Sequence, residues 1–143
     1  MERRRFRGDS GAVTTEFVIA TPVLLSFLML IVQVALVFHA LSVASAAAQE
    51  GARTATMEDE TNRIAAGEAD AAGFVQAVAP TLLTNVDVHG EAVHGGEVIR
   101  MTVDADVLQV FNFPGVNLAW PVHETAESVV ERFRPGDDSP TTG

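Results

Sequence analysis

The chain has 143 residues and no cysteine, enough for one modest domain beside an anchoring segment. The missing thiols exclude a disulfide framework, a lipoprotein anchor, cysteine-based zinc sites and thiol catalysis. Nineteen acidic residues stand against nine basic ones, all arginine, for a formal net charge of −10. Such a surface repels phosphate backbones and argues against nucleic acid as a partner.

The charge is unevenly placed. Arg3, Arg4, Arg5 and Arg7 open the chain, while beyond Gly11 five basic residues face seventeen acidic ones. Between Glu16 and Glu50 there is no Asp, Glu, Lys or Arg, and the core of this stretch runs 27 residues from Phe17 to Val43. About 20 apolar residues carry a helix across a bilayer core. The block therefore predicts one transmembrane helix with some tilt or overhang, rather than the shorter buried helix of a soluble domain. The arginine cluster ahead of it predicts a cytoplasmic N-terminus and an acidic bulk outside the cytoplasmic membrane. Inside the span, Gln33 and His39 have the most hydrogen-bonding capacity. Gln33 is expected to meet a partner helix in an assembly, and His39 to be solvated near the outer interface. Pro22, one turn in, frees the carbonyl four residues earlier and can kink the helix.

Three processing schemes fit the first fifty residues to different degrees. A secretory signal would use Ala46-Ala47-Ala48 as its cleavage site, before Gln49. Its apolar region, however, runs about 7–15 residues, and this block is far longer. A twin-arginine signal would use Arg3-Arg4-Arg5-Phe6, a short pattern that arises easily in an arginine-rich leader. The third scheme is a basic leader ending at Gly11, followed by Ala12-Val13-Thr14-Thr15-Glu16-Phe17 and the apolar block. Cleavage after Gly11 makes Ala12 the first residue and Glu16 the fifth.

That glycine, and an acid at the fifth position opening a long apolar helix, resemble the type IV pilin and pseudopilin signature. Within that superfamily the GAVTTEF start, the early Pro22 and the small acidic outer domain look most like TadE-type proteins of Tad (Flp) pilus systems. The resemblance implies processing by a prepilin peptidase between Gly11 and Ala12, and assembly with other pilin or pseudopilin subunits and the Tad membrane machinery. It implies docking through Glu16, Phe17, Pro22 and Gln33. The physical case for Glu16 is independent. A carboxylate at the lip of a membrane span costs a few kcal/mol if drawn into hydrocarbon, so it is expected to be solvated or paired. Removing the leader creates an α-amino group at Ala12, a cation that a neighbouring subunit can offer to Glu16. The plainer alternative is an acid complementing the start of the helix dipole. Arg7-Gly8-Asp9 spells an integrin-type motif, but it falls in the leader.

Beyond the span, alanine-rich sequence predicts that the helix continues past Ala44–Ala48, with Gly51 and Gly67 as weak points and Glu58-Asp59-Glu60 as an acidic break. Ile64, Ala71, Val75, Val78 and Leu82 recur at helical spacing, and Pro80 should end that helix or bend it. From Asn85 the period changes to two, with Val86 and Val88 alternating with Asp87 and His89. A turn at His94-Gly95-Gly96 and a strand from Val98 to Val107 complete a predicted hairpin. A third strand is expected from Leu118 to about Val130, with Pro121 confining its start to an edge. The helix around Phe74 and Val78 is expected to cover this sheet, since two or three strands alone are marginal. Trp120, Phe111, Phe113 and Phe133 are candidate core residues. The tail from Pro135 to Gly143 is expected to be disordered.

These elements predict an α+β protein: a long N-terminal transmembrane helix, an amphipathic helix and a small antiparallel sheet of about three strands. The expected division is a leader at 1–11, transmembrane helix and stalk at 12–57, a small extracytoplasmic domain at 58–134 and the tail at 135–143. The four histidines are scattered without metal-ligand spacing, Asp104 and Asp106 share one strand face, and no nucleophile elbow, phosphate loop or dinucleotide fingerprint occurs. The expectation is a non-enzymatic minor pseudopilin without cofactor. The lipid bilayer and pilus subunits are its partners, and a type II secretion pseudopilin is a close variant. The alternative from another class is a secreted or single-pass anchored binding module.

Overall fold

The computed structural model describes residues 10–110 and 120–130, with side chains described from Glu16 onward. Helix α1 runs unbroken from Ser10 to Met57, and α2 from Arg63 to Val78. Strands β1 (Leu83–Val93), β2 (Val98–Val107) and β3 (Pro121–Val129) form an antiparallel sheet in the order β1-β2-β3. The predicted α+β class is therefore the one observed.

Pro22 sits inside α1 without ending it. The Thr21 hydroxyl donates to the Phe17 carbonyl (2.7 Å) and the Ser26 hydroxyl to the Pro22 carbonyl (2.8 Å), back-bonds to the preceding turn that satisfy the two hydroxyls on an apolar helix. The helix stops at Met57, where the acidic residues Glu58-Asp59-Glu60 follow. Helix α2 stops at Val78 ahead of Pro80, and Ala79 closes it by donating its amide to the Val75 carbonyl.

The sheet has one dry face and one wet face. Along β2, Ile99, Met101, Val103, Ala105 and Val107 are buried, while Arg100, Thr102, Asp104 and Asp106 point away. The two helices lie side by side across the dry face, α1 over β2 and β3, α2 over β1. Ala40, Val43, Ala44, Ala47 and Ala48 of α1 meet Val75, Leu83, Val103, Ala105, Val107 and Val122. Further along α1, Ala52 and Ala55 meet Ile99 and Met101. The expected cover by the Phe74–Val78 helix holds for β1, through Val75 with Phe74 packed beside it, while β2 and β3 are covered by the C-terminal half of α1, which the expectation left out. Val78 itself is exposed.

Three further expectations change. Gly51 and Gly67 are not weak points but the place where α1 and α2 cross. A Cβ on Gly67 would lie 2.6 Å from the Gly51 carbonyl oxygen, and one on Gly51 2.7 Å from that of Gly67. Val86 leaves the predicted alternation because β1 carries a bulge between Thr84 and Asp87, with Asn85 at φ 51°, so that the inward phase shifts by one residue. Trp120 is exposed, not core, and lies at the open mouth of β3. Phe111, Phe113, Phe133, the leader through Asp9 and the tail lie outside the described residues.

The hairpin turn is His94–Gly96, with positive φ at His94 (53°), Gly95 (69°) and Gly96 (88°). Two glycines there relieve a backbone that L side chains rarely adopt. Pro121 opens β3, an edge strand, where its missing N–H breaks no ladder through the sheet.

Candidate functional site

Among the described residues the most apolar surface is the N-terminal half of α1. From Phe17 to Val34 nearly every large apolar side chain is exposed, and only 11% of the most apolar 18-residue window is buried. Its mean hydropathy is 2.4. A core helix of a soluble domain would be covered; this one is bare over about 27 Å, close to the thickness of a bilayer's hydrocarbon core. One long apolar helix of this kind fits a single-pass membrane anchor.

Gly11 and Ala12 lie in the first turn of α1. Glu16 is exposed on the same helix and shares one face with Ile19, Ala20, Val23, Leu24 and Phe27. Phe17 is 73% exposed. Glu16 is therefore the first charged group on a face that is otherwise apolar for three turns. Helix continuity brings Gly11, Ala12, Glu16, Phe17 and Pro22 together at one end of α1.

Gln33 stands apart from them, about 25 Å along the helix. It is buried, and both ends of its amide are used. Nε2 donates to the Leu108 carbonyl (3.3 Å), and Oε1 accepts from the Val110 amide (3.1 Å). The amide thus imitates one rung of a backbone ladder and ties the chain leaving β2 to the middle of α1. His39, six residues on, is exposed.

Residues that sequence reasoning passed over hold the helices and sheet in register. Thr54 donates to Asp70 across the α1–α2 crossing (2.8 Å), and the Gly90 amide donates to the Glu68 carboxylate (2.9 Å), joining β1 to α2. The signal available was the recurrence of small residues at Ala44, Ala48, Gly51 and Ala55, which marks a close-packing helix stripe.

The wet face of the sheet is a grid of polar pairs. Arg100 lies between Glu91 (2.7 Å) and Glu127 (2.8 Å). The bonds from Glu127 first, and Glu91 next, raise the guanidinium pKa above its already high ordinary value. His123 pairs with Asp104, His89 with Asp87 (3.0 Å), and Thr102 with Thr125. Asp106 accepts from the Asn85 side chain. Among the described residues no His, Asp and Glu group has metal-binding geometry.

A bare apolar helix, opened by an acid, runs without a break into a small two-layer α+β domain, an architecture that fits a protein held by a single helix. Residues 11–53 match the family model described as TadE-like protein, so over that segment the chain is similar to TadE-like proteins. Neither the curated proteins nor the solved structures offer a match. The matched segment begins at Gly11, takes in Glu16 and the bare helix, and ends in the small-residue stripe that packs on α2.

Proposed function

We propose that this chain is a minor pseudopilin of a Tad/Flp-type pilus assembly or secretion system. A prepilin peptidase processes it after Gly11, and it assembles with other pilin-like subunits through its N-terminal helix. The observation that carries this reading is the match over residues 11–53, a segment that holds the glycine, the acid five residues later and the exposed apolar helix. In this reading residues 1–11 are the leader, the bare part of α1 crosses the cytoplasmic membrane with its N-terminus inside, and the sheet lies outside. The role is structural rather than catalytic.

Glu16 then pairs with the new amino group of a neighbouring subunit's Ala12 as the helices dock. A hydrogen bond to a charged group is worth about 1.5–3 kcal/mol, so Glu16→Ala should lower incorporation into filaments about tenfold or more. Insertion into the membrane and cleavage should continue. Quantifying the chain in sheared filaments against the membrane fraction checks this, and wild-type incorporation of the variant would remove Glu16 from the docking step.

A further inference from the structure

The end of the domain nearest the bare helix carries its own apolar rim. Val78 closes α2, Leu108 and Val110 follow β2, and Trp120 precedes β3; all four are exposed, as is Phe38 on the adjoining turn of α1. Backbone bonds set Trp120 and Leu108 side by side at the end of β2. The Val107 amide donates to the Trp120 carbonyl and the Leu108 amide to the Leu82 carbonyl. Gln33 ties that end to α1 through Leu108 and Val110. The polar pairs begin one register step further up, where Asp106 faces Pro121 and accepts from Asn85.

We infer that this rim, Val78, Leu108, Val110 and Trp120 with Phe38, rests in the bilayer interface, so that lipid contacts the small domain as well as its helix. The inference builds on the proposed single-span anchor and adds where the span stops. Glu16 bounds the bare helix at one end and the rim bounds it at the other. The apolar length between them is about 27 Å, against about 30 Å for a hydrocarbon core. A bilayer that covers Phe17–Val34 must therefore reach the rim. Ala40, Val43, Ala44, Ala47 and Ala48 are packed inside the domain, so they are not available to lipid. A tryptophan at that height is the usual interfacial anchor, with an apolar ring and a polar N–H that stays wet.

Trp120 is the only tryptophan, and there is no tyrosine or cysteine, so it reports alone and single-cysteine labels are site-specific. The test uses the full chain in phosphatidylcholine vesicles whose lipids carry bromine either near the headgroup or near the chain end. Environment-sensitive dyes are placed on Leu25→Cys in the bare helix and on Val129→Cys, about 30 Å away along β3. A headgroup-level ring should be quenched about twofold by shallow bromines and less by deep ones, at any protein-to-lipid ratio. The Leu25→Cys dye should be quenched by deep bromines and the Val129→Cys dye by neither. A quenched Leu25→Cys dye with unquenched Trp120 would overturn the rim while leaving the span intact. Neither reporter quenched would overturn both. Trp120 shielding that rises with protein density and ignores bromine would assign the rim to a second copy of the chain, and so overturn it too.

Discussion

Gln33 shows how one side chain can be legible in type and illegible in partner. An amide on an apolar helix must be paired, and the sequence says so; its partners lie 75 and 77 residues on, beyond any local pattern. The expected partner was another helix, and the observed partners are the chain's own Leu108 and Val110. Replacing Gln33 by Leu keeps a similar volume and leaves a carbonyl and an N–H without a partner, at about 1–3 kcal/mol each. Amide exchange at Val110 should then quicken about tenfold or more. Unchanged exchange would show that the amide does not hold that segment. Arg100 gives a second residue-scale prediction, with its sign set by the raised pKa. A folded-state pKa above the unfolded value gives stability that is present below the unfolded value and lost only as pH rises through the folded one. The difference in Tm between the parent and Arg100→Gln should hold steady from about pH 7 to about pH 10. A gap that closes within that range would contradict the bridge.

Among the elements, β2 was readable residue by residue because it is the central strand, with one dry and one wet face. β1 was readable only in part. Its bulge at Asn85–Val86 changes which parity points inward, and periodicity cannot signal an extra residue. The crossing of α1 and α2 was misread for a similar reason. Glycine weakens an isolated helix, whereas Gly51 and Gly67 let two helices touch backbone to backbone. The two effects oppose each other in Gly67→Ala. Helix propensity favours alanine by about 1 kcal/mol. A Cβ forced to 2.6 Å from the Gly51 carbonyl and 2.7 Å from Met101 Cε costs about 1–3 kcal/mol as overpacking. We expect a net loss, seen as a lower unfolding midpoint. The solvent-exposed Gly73→Ala, where a Cβ meets nothing within 4 Å, should be neutral or stabilising. Stabilisation by Gly67→Ala would mean that the helices do not approach this closely.

On the scale of the whole molecule, α1 belongs to two environments. Its first half is bare, and its second half is core. The apolar block was legible from Phe17 to Val43 as a single run, because hydropathy does not distinguish a side chain facing lipid from one facing a sheet. The structure divides the run near Gln33 to Ala40, where α1 passes from bare surface into the domain. That division bears on how the chain is processed. Cleavage after Ala48 would strip Ala40, Val43, Ala44, Ala47 and Ala48 from the larger buried cluster, where they meet Val103, Ala105, Val107 and Val122 of β2 and β3. Cleavage after Gly11 removes nothing from it. The most direct measurement is the N-terminus of the mature chain, by intact mass or N-terminal sequencing of protein recovered from membranes, alongside Gly11→Ala. The account predicts a chain that begins at Ala12 in the parent and stays unprocessed in the variant. A mature chain beginning at Gln49, or a parent chain that is never cut, would contradict it.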